Sequence, residues 1–249
     1  MLVLGVDIGG SGVKAAPFDV DAGKLAAERK RLTTPQPATP DAVAGAVAEL
    51  VEYFDWNGPV GCAFPAVIRD GVVFTAVHID PAWIGISAQD RLGEATGCPI
   101  TVINDADAAG LAEMRWGSGR DRMGLVLVLT FGTGIGSGMF FDGRLVPNTE
   151  LGHVQLHGDD AEEWAAADVR SRAGLSLAEW AGRACEYLAH LEAILSPDLF
   201  IIGGGISKRY EEFAHLLVVR APIVAASLRN NAGLAGAALR SYQVSMPHE

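Results

Sequence analysis

Apolar positions along the chain fall into short blocks whose spacing names the elements they build. "LVLGVDIGGSGVKAAPFD", residues 2–19, is mostly apolar on both sides of a glycine cluster, which predicts two strands joined by a tight turn. After the polar, proline-rich link "TTPQPATP", Val43, Val47, Leu50, Val51 and Phe54 recur at the 3.6-residue period of a helix with one buried face. "GPVGCAFPAVI" and "CPITVIND" are continuous apolar runs bounded by turn or polar residues, the pattern of buried strands, and "PAWIGISAQDRLGEATG" between them predicts a short helix. "ADAAGLAEMRWG" predicts a helix closed by glycine. The second half opens as the first does, for "MGLVLVLTFGTGIGSGMFFDG" is again strand, glycine turn, strand. Ser176 and Glu179 are spaced as a capping box ahead of a stripe of Leu177, Trp180, Ala184, Leu188, Leu191 and Leu195, which "SPD" ends. "LFIIGGGISK" reads as a buried strand turning through a glycine loop into a helix, and "NNAGLAGAALRSY" supplies the last helix.

The order of these elements makes the protein α/β, with two related lobes that each offer a glycine-centred hairpin to a shared cleft. Residues 1–108 form a smaller N-terminal lobe and residues 109–235 a larger one, with a C-terminal helix over about 236–249 packing on the first. The 249 residues suffice for a sizeable core, and a formal charge of −11 argues against a broad grip on nucleic acid or acidic membranes. "MLVLGVDIGG" has no basic n-region, so it reads as a first strand rather than a signal peptide, and no apolar run is long enough to span a bilayer. Cys62, Cys98 and Cys185 are scattered, without CxxC spacing, which disfavours a disulfide framework or a thiolate zinc site and fits a reducing cytoplasm.

"LTFGTGIGSGMF" carries glycine at 132, 134, 136 and 138, although glycine weakens strands. Together with "DIGGSG", it suggests that main-chain N–H groups of two turns converge on a chain of phosphates. Ser11, Thr133 and Ser137 would add hydroxyl donors, Lys14 a point charge, and Asp7 a carboxylate for Mg²⁺ held through water. Alternatively, the glycines only shape the hairpins. No GxxxxGK[ST], protein-kinase or dinucleotide-binding signature is present. In "ITVINDADAAG", Asn104 and Asp105 follow a buried strand, where a carboxylate can take a proton from an attacking hydroxyl while the amide orients the acceptor; a helix N-cap is the structural alternative. "PNTELGHVQLHGDDAEEWA" gathers Glu150, His153, Asp160, Glu162 and Glu163, a set suited to binding sugar hydroxyls. HExxH is missing and no cysteine lies near, so no zinc is expected there.

"DIGGSGVK", "INDADAAGLAE", "LTFGTGIGSGMF", "LVPNTELGH", "SPDLFIIGGGISK" and "LRNNAG" resemble, in that order and over nearly the whole chain, the ROK sugar kinases, nearest to their polyphosphate/ATP glucokinase branch. The resemblance implies an actin-like, ribonuclease-H-type duplicated fold of two lobes around a cleft. It implies Mg²⁺-dependent phosphorylation of the 6-hydroxyl of glucose or a related hexose by polyphosphate or ATP, often by a homodimer. By position, Asp105 would be the catalytic base, and Asn104, Glu150, His153 and Glu162 would hold the sugar. Gly9, Gly10, Ser11 and Lys14, with Gly132, Thr133 and Gly134, would bind donor phosphates, and Gly203, Gly204, Gly205 and Lys208 would flank an adenosine pocket. The zinc-binding CxCGxxGC cluster of typical members is missing, as it is in the polyphosphate branch. The family tends to show glycine where Ala66 stands and asparagine, a sugar contact, where His78 stands; lysine is common in the branch where Pro81 stands. A strictly ATP-dependent kinase for another hexose or amino sugar is the alternative enzyme. A non-catalytic ROK-type sensor is the alternative of another class, disfavoured by retention of Asp105 and by a start at the first strand with no basic domain before it.

Overall fold

The structure, a computed structural model, describes residues 1–246. It divides into two compact units, the first made of Met1–Ala112 with the segment from Asn231 onward, the second of Glu113–Asn230. The first unit is thus the longer one, because the chain returns to it at Asn231, and the boundary between the units falls inside a helix.

In the first unit, β1 (Leu2–Gly9) and β2 (Gly12–Asp19) form the expected hairpin, in register from Leu2 opposite Asp19 to Gly9 opposite Gly12. Strands β3 (Lys24–Leu25) and β4 (Lys30–Leu32) both pair antiparallel with β2. Helix α1 (Pro40–Tyr53) crosses to β5 (Val60–Phe64), which is parallel to β1. The small hairpin of β6 (Ile68–Arg69) and β7 (Val72–Val73), then α2 (Ala88–Thr96), lead to β8 (Ile100–Asn104), parallel to β5, and α3 (Asp105–Trp116) follows.

The second unit repeats this plan. Strands β9 (Leu125–Phe131) and β10 (Ile135–Phe141) form the hairpin, and β11 (Arg144–Val146) extends it. A small hairpin of β12 (Gln155–Leu156) and β13 (Asp159–Asp160) precedes α4 (Ala161–Ala165), α5 (Ala167–Arg172) and α6 (Leu177–Leu195). Then come β14 (Leu199–Gly204), parallel to β9, α7 (Tyr210–Phe213) and β15 (Ile223–Ala225), parallel to β14. The strand orders are β3-β2-β1-β5-β8 and β11-β10-β9-β14-β15, so each sheet is a hairpin with two parallel strands added on the side of its first strand.

Local chemistry explains the helices. Thr39 caps α1 by accepting from the Ala42 N–H, Pro40 opens the helix, and Val43, Val47, Leu50 and Val51 are buried; Phe54 packs on them from just beyond the helix end. Both halves of the Ser176–Glu179 capping box form at α6, whose Trp180, Ala184, Leu188 and Leu191 are buried. Each unit has its own aromatic core. Trp83 packs edge-on to Phe64 in the first and donates its indole N–H to the Ala38 carbonyl; in the second, Trp180 meets Phe131 and Phe213. After Gly204 the chain makes a 3₁₀ turn over Gly205–Arg209 before the short α7, so the helix expected there is delayed. Among the described residues no helix is long and apolar enough to cross a membrane.

The last helix, α8 (Ala232–Ser245), begins before the expected residue 236; residues 247–249 of the expected range lie outside the described residues. It packs on β1, β5 and β8 through small residues. Gly61 of β5 lies beneath the Ala237 carbonyl and Gly5 of β1 beneath Leu234, where an added Cβ would stand 2.8 Å from the leucine Cγ. Backbone-to-backbone approach replaces the large apolar stripe that such a helix would otherwise need. Gly61→Ala is therefore expected to lower stability by at least about 2 kcal/mol in urea unfolding. Gly45→Ala, at an α1 site with open space around it, should raise stability by about 0.5–1 kcal/mol. Equal effects of the two would contradict this packing.

Candidate functional site

In the first unit the expected residues gather at the carboxyl ends of the parallel strands, where open α/β sheets bind ligands. Register places Asp7 beside Ala63 and Phe64 beside Asn104, so the turn after β1, Pro65 after β5 and Asp105 after β8 share one edge of the sheet. Thr34 Oγ donates to the Gly9 carbonyl at 2.5 Å and Gln36 Nε2 to the Gly10 carbonyl at 3.5 Å, folding the proline-rich link against the glycine turn. A pocket of about 370 Å³ opens there, walled by Gly9, Gly10, Thr34, Gln36, Pro65 and His78 among others. His78 is exposed at its rim, and its carbonyl oxygen would lie 3.7 Å from a Cβ on Gly10. Ser11 is exposed on the turn, and its carbonyl accepts from Arg31 Nη2 at 2.6 Å.

Lys14 and Asp7 face one another across the β1–β2 ladder, and Lys14 Nζ donates to Asp7 Oδ2 at 3.1 Å. The two charges expected to serve phosphate and metal are thus paired with each other. Gly233 of α8 lies against Asp7, where an added Cβ would come within 3.3 Å of the carboxyl group. Asn104 is buried at the end of β8 and takes the capping role: its Oδ1 accepts from the Ala106 and Asp107 N–H groups at 2.9 and 3.0 Å, while Nδ2 donates to the Ala66 carbonyl. Asp105, half-buried, is the first residue of α3, and its Oδ1 accepts from the Ala106 N–H at 2.8 Å.

In the second unit, Gly132 and Gly134 lie in the turn after β9, whereas Gly136 and Gly138 lie within β10, so the alternating glycines do not form one extended flank. Gly203 and Gly204 end β14 opposite Thr130 and Phe131, which places the second glycine segment beside the turn. Gly204 has φ +78° and stands where an added Cβ would meet the Phe131 nitrogen at 2.6 Å, so backbone geometry alone requires glycine there. Gly10, Gly132 and Gly205 differ. None has a φ in the left-handed region, and an added Cβ would meet nothing closer than 3.7 Å at Gly10 and nothing within 4 Å at the other two. Thr133 and Lys208 are exposed nearby on this edge, at the turn and at the 3₁₀ segment.

Ser137 is not available to a phosphate, contrary to expectation. Strand alternation puts it on the buried face of β10 with Ile135, and its hydroxyl donates to the Thr149 carbonyl at 2.6 Å and accepts from the Leu151 N–H at 2.9 Å. It thereby pins the residues on either side of Glu150. Gly152 lets the following turn lie on β10, since an added Cβ would overlap the Ile135 carbonyl. Glu150, His153 and Glu162 come together here. His153 Nδ1 lies 2.7 Å from Asp160 Oδ2, and its Nε2 is 3.9 Å from Glu150 Oε2. Gln155 Nε2 donates to the other Asp160 oxygen at 2.8 Å, and buried Glu162 accepts from the Ile135 N–H at 3.0 Å. Asp160, which orients the imidazole, and Ser137, which sets Glu150, are roles that residue type alone did not single out.

Burial opposes a charged His153, but the Asp160 hydrogen bond and the charges of Glu162, Asp160 and Glu150 outweigh it and raise the imidazole pKa above the ordinary value. No three His, Cys, Asp or Glu side chains cluster to hold a metal among the described residues. In unit one, Asp7 offers a carboxylate that a largely hydrated divalent cation shared with phosphate oxygens would use.

The ROK family model matches residues 3–167. A polyphosphate glucokinase of Mycobacterium tuberculosis is 49% identical over 238 residues, covering 95% of this chain and 90% of that protein. The crystal structure of the inorganic polyphosphate/ATP-glucomannokinase of Arthrobacter sp. strain KM superposes with a TM-score of 0.95 at 48% identity, covering 98% of this chain and 99% of the other. A ROK family glucokinase of Streptomyces griseus, solved with glucose and AMPPNP, gives a TM-score of 0.80 at 26% identity over 98% of this chain and all of its own.

A raised folded-state pKa stabilises the protein below the unfolded value of about 6.5, and the contribution fades as pH rises through the folded value. Asp160→Asn should lower the His153 pKa in an NMR titration and weaken that acid-side stabilisation. An unchanged titration would show that Asp160 does not charge the imidazole.

Proposed function

The chain belongs to the ROK family, and from that premise we propose that it is a hexose kinase transferring a phosphoryl group from polyphosphate or ATP to the 6-hydroxyl of glucose. The observation that carries the reading is the behaviour of Gly10, Gly132 and Gly205, where neither backbone conformation nor packing calls for glycine. Close approach of a ligand to the main chain accounts for all three. Turn amides supply fixed N–H dipoles to an anion without the reorganisation that long side chains need.

In this reading Asp105 accepts the proton of the attacking hydroxyl, and its place at the end of a parallel strand supports the role. Glu150 and His153 hold sugar hydroxyls, with Glu162 beside them and His78 at the pocket in the first unit. Asn104, whose oxygen is committed to capping, offers the sugar one remaining amide N–H. Gly9, Gly10, Ser11 and Lys14, with Gly132, Thr133 and Gly134, hold donor phosphates; Gly203, Gly204, Gly205 and Lys208 border an adenosine when the donor is ATP. A divalent metal, Mg²⁺ by preference, would neutralise charge on the transferring phosphates beside Asp7. Lys14 would serve the phosphates and Asp7 would hold the hydrated metal, so the pair they form with each other is the one the bound state would open. The arrangement we propose in the cell is a cytoplasmic homodimer, following the resemblance.

Wild-type protein with Mg²⁺ and glucose should form glucose 6-phosphate from ATP alone, polyphosphate alone, or both, and lose that activity when Mg²⁺ is removed. Asp105→Asn should lower kcat by at least about three decades while glucose still binds. Undiminished turnover in that variant would remove Asp105 from the reaction.

A further inference from the structure

Three charged side chains share one register row at the first glycine turn. Asp7 stands opposite Lys14 across β1–β2, and Lys14 stands opposite Arg31 across β2–β4. Residues directly opposite in an antiparallel ladder project to the same face, and two cations so placed repel one another. Lys14 meets a counter-charge in Asp7. Arg31 has no carboxylate within ion-pair distance among the described residues. Its guanidinium instead lies over Gly12, with Cζ 2.7 Å from where a Cβ would be, and one Nη2–H bonds the Ser11 carbonyl at 2.6 Å. The bare backbone at Gly12 therefore makes room for this arginine. The fork carries five N–H donors, and the Ser11 bond uses one.

Within this row of the ladder two cations stand against one carboxylate, in a chain whose formal charge is −11. A planar guanidinium fixed in this position matches the oxygen pairs of phosphate better than an ammonium would. We propose that Arg31 is a donor-binding residue, gripping the phosphoryl chain beside the first glycine turn and favouring linear polyphosphate over a nucleotide. The assignment rests on the kinase reading for its ligand. Its selectivity follows from charge: polyphosphate continues as anion beyond the phosphates it shares with ATP, whereas ATP continues as a neutral nucleoside, so an added cation rewards the longer anion.

The test is calorimetric titration of the full chain with long linear polyphosphate and with ATP, for wild type, Arg31→Gln, Arg31→Lys and Lys24→Gln. Lys24 lies on the same sheet opposite Asp19, at the far end of β2 from Gly12, and removes the same formal charge. Arg31→Gln should weaken polyphosphate binding about tenfold and ATP binding less than about twofold, with Arg31→Lys recovering part of the loss. Lys24→Gln should change neither ligand, and thermal melts matching wild type would show that the variants are folded. The proposal is overturned if wild type does not bind polyphosphate, if Arg31→Gln weakens both ligands alike or neither, or if Lys24→Gln reproduces its effect. Arg31-dependent polyphosphate binding without glucose 6-phosphate formation would sink the kinase reading and leave Arg31 assigned. Glucose 6-phosphate formation with wild-type binding by Arg31→Gln would do the reverse.

Discussion

Bare main chain at the carboxyl ends of the parallel strands in the two mixed sheets is the feature on which the proposed donor site depends. Peptide groups there leave the ladder and must find other partners. The protein shapes one turn from within: the Gly132 N–H donates to the Gly134 carbonyl, and the Gly132 carbonyl accepts from the Asp168 N–H. The geometry is therefore set before a ligand arrives, which is the condition under which dipoles are most effective on developing charge. Asp7, Lys14 and Arg31 add charge at the first turn, and the exposed Lys208 follows the second glycine segment.

The frame that holds these edges depends on small residues. Gly5 and Gly61 admit the backbone of α8 to the first sheet, and Gly233 brings the start of that helix to Asp7. At the other end of α3, buried Glu113 accepts from the N–H groups of Ser118, Ser227 and Leu228 and from the Ser227 hydroxyl. A buried carboxylate so fully bonded is costly to disturb. It fixes both the segment after α3 and the segment leading to α8.

Features set by near neighbours were legible in the sequence. The Ser176–Glu179 box, the α1 face from Val43 to Val51 and both glycine hairpins follow from spacing of four residues or fewer, or from apolar runs on either side of a glycine turn. Roles set by distant partners were not. Ser137 has the residue type of a phosphate donor, but pleat parity turns it to the core, where Thr149 and Leu151 use it. Asn104 carries two demands that one residue letter cannot separate, a cap for α3 and a tie to Ala66. Arg31 reaches the first turn only because β4 returns to β2 in one register, which no local spacing in the chain between Asp19 and Lys30 announces. The return of the chain to the first unit at Asn231 is likewise a tertiary event that local spacing does not announce.

The most direct measurement compares thermal stability with phosphorylation kinetics in Gly132→Ala, where a methyl group has space and an ordinary backbone conformation. The melting temperature should equal or slightly exceed that of wild type, because alanine reduces unfolded-chain entropy, while the donor KM rises about tenfold or more. Wild-type kinetics in that folded variant would show that the bare turn serves the hairpin and not a phosphate.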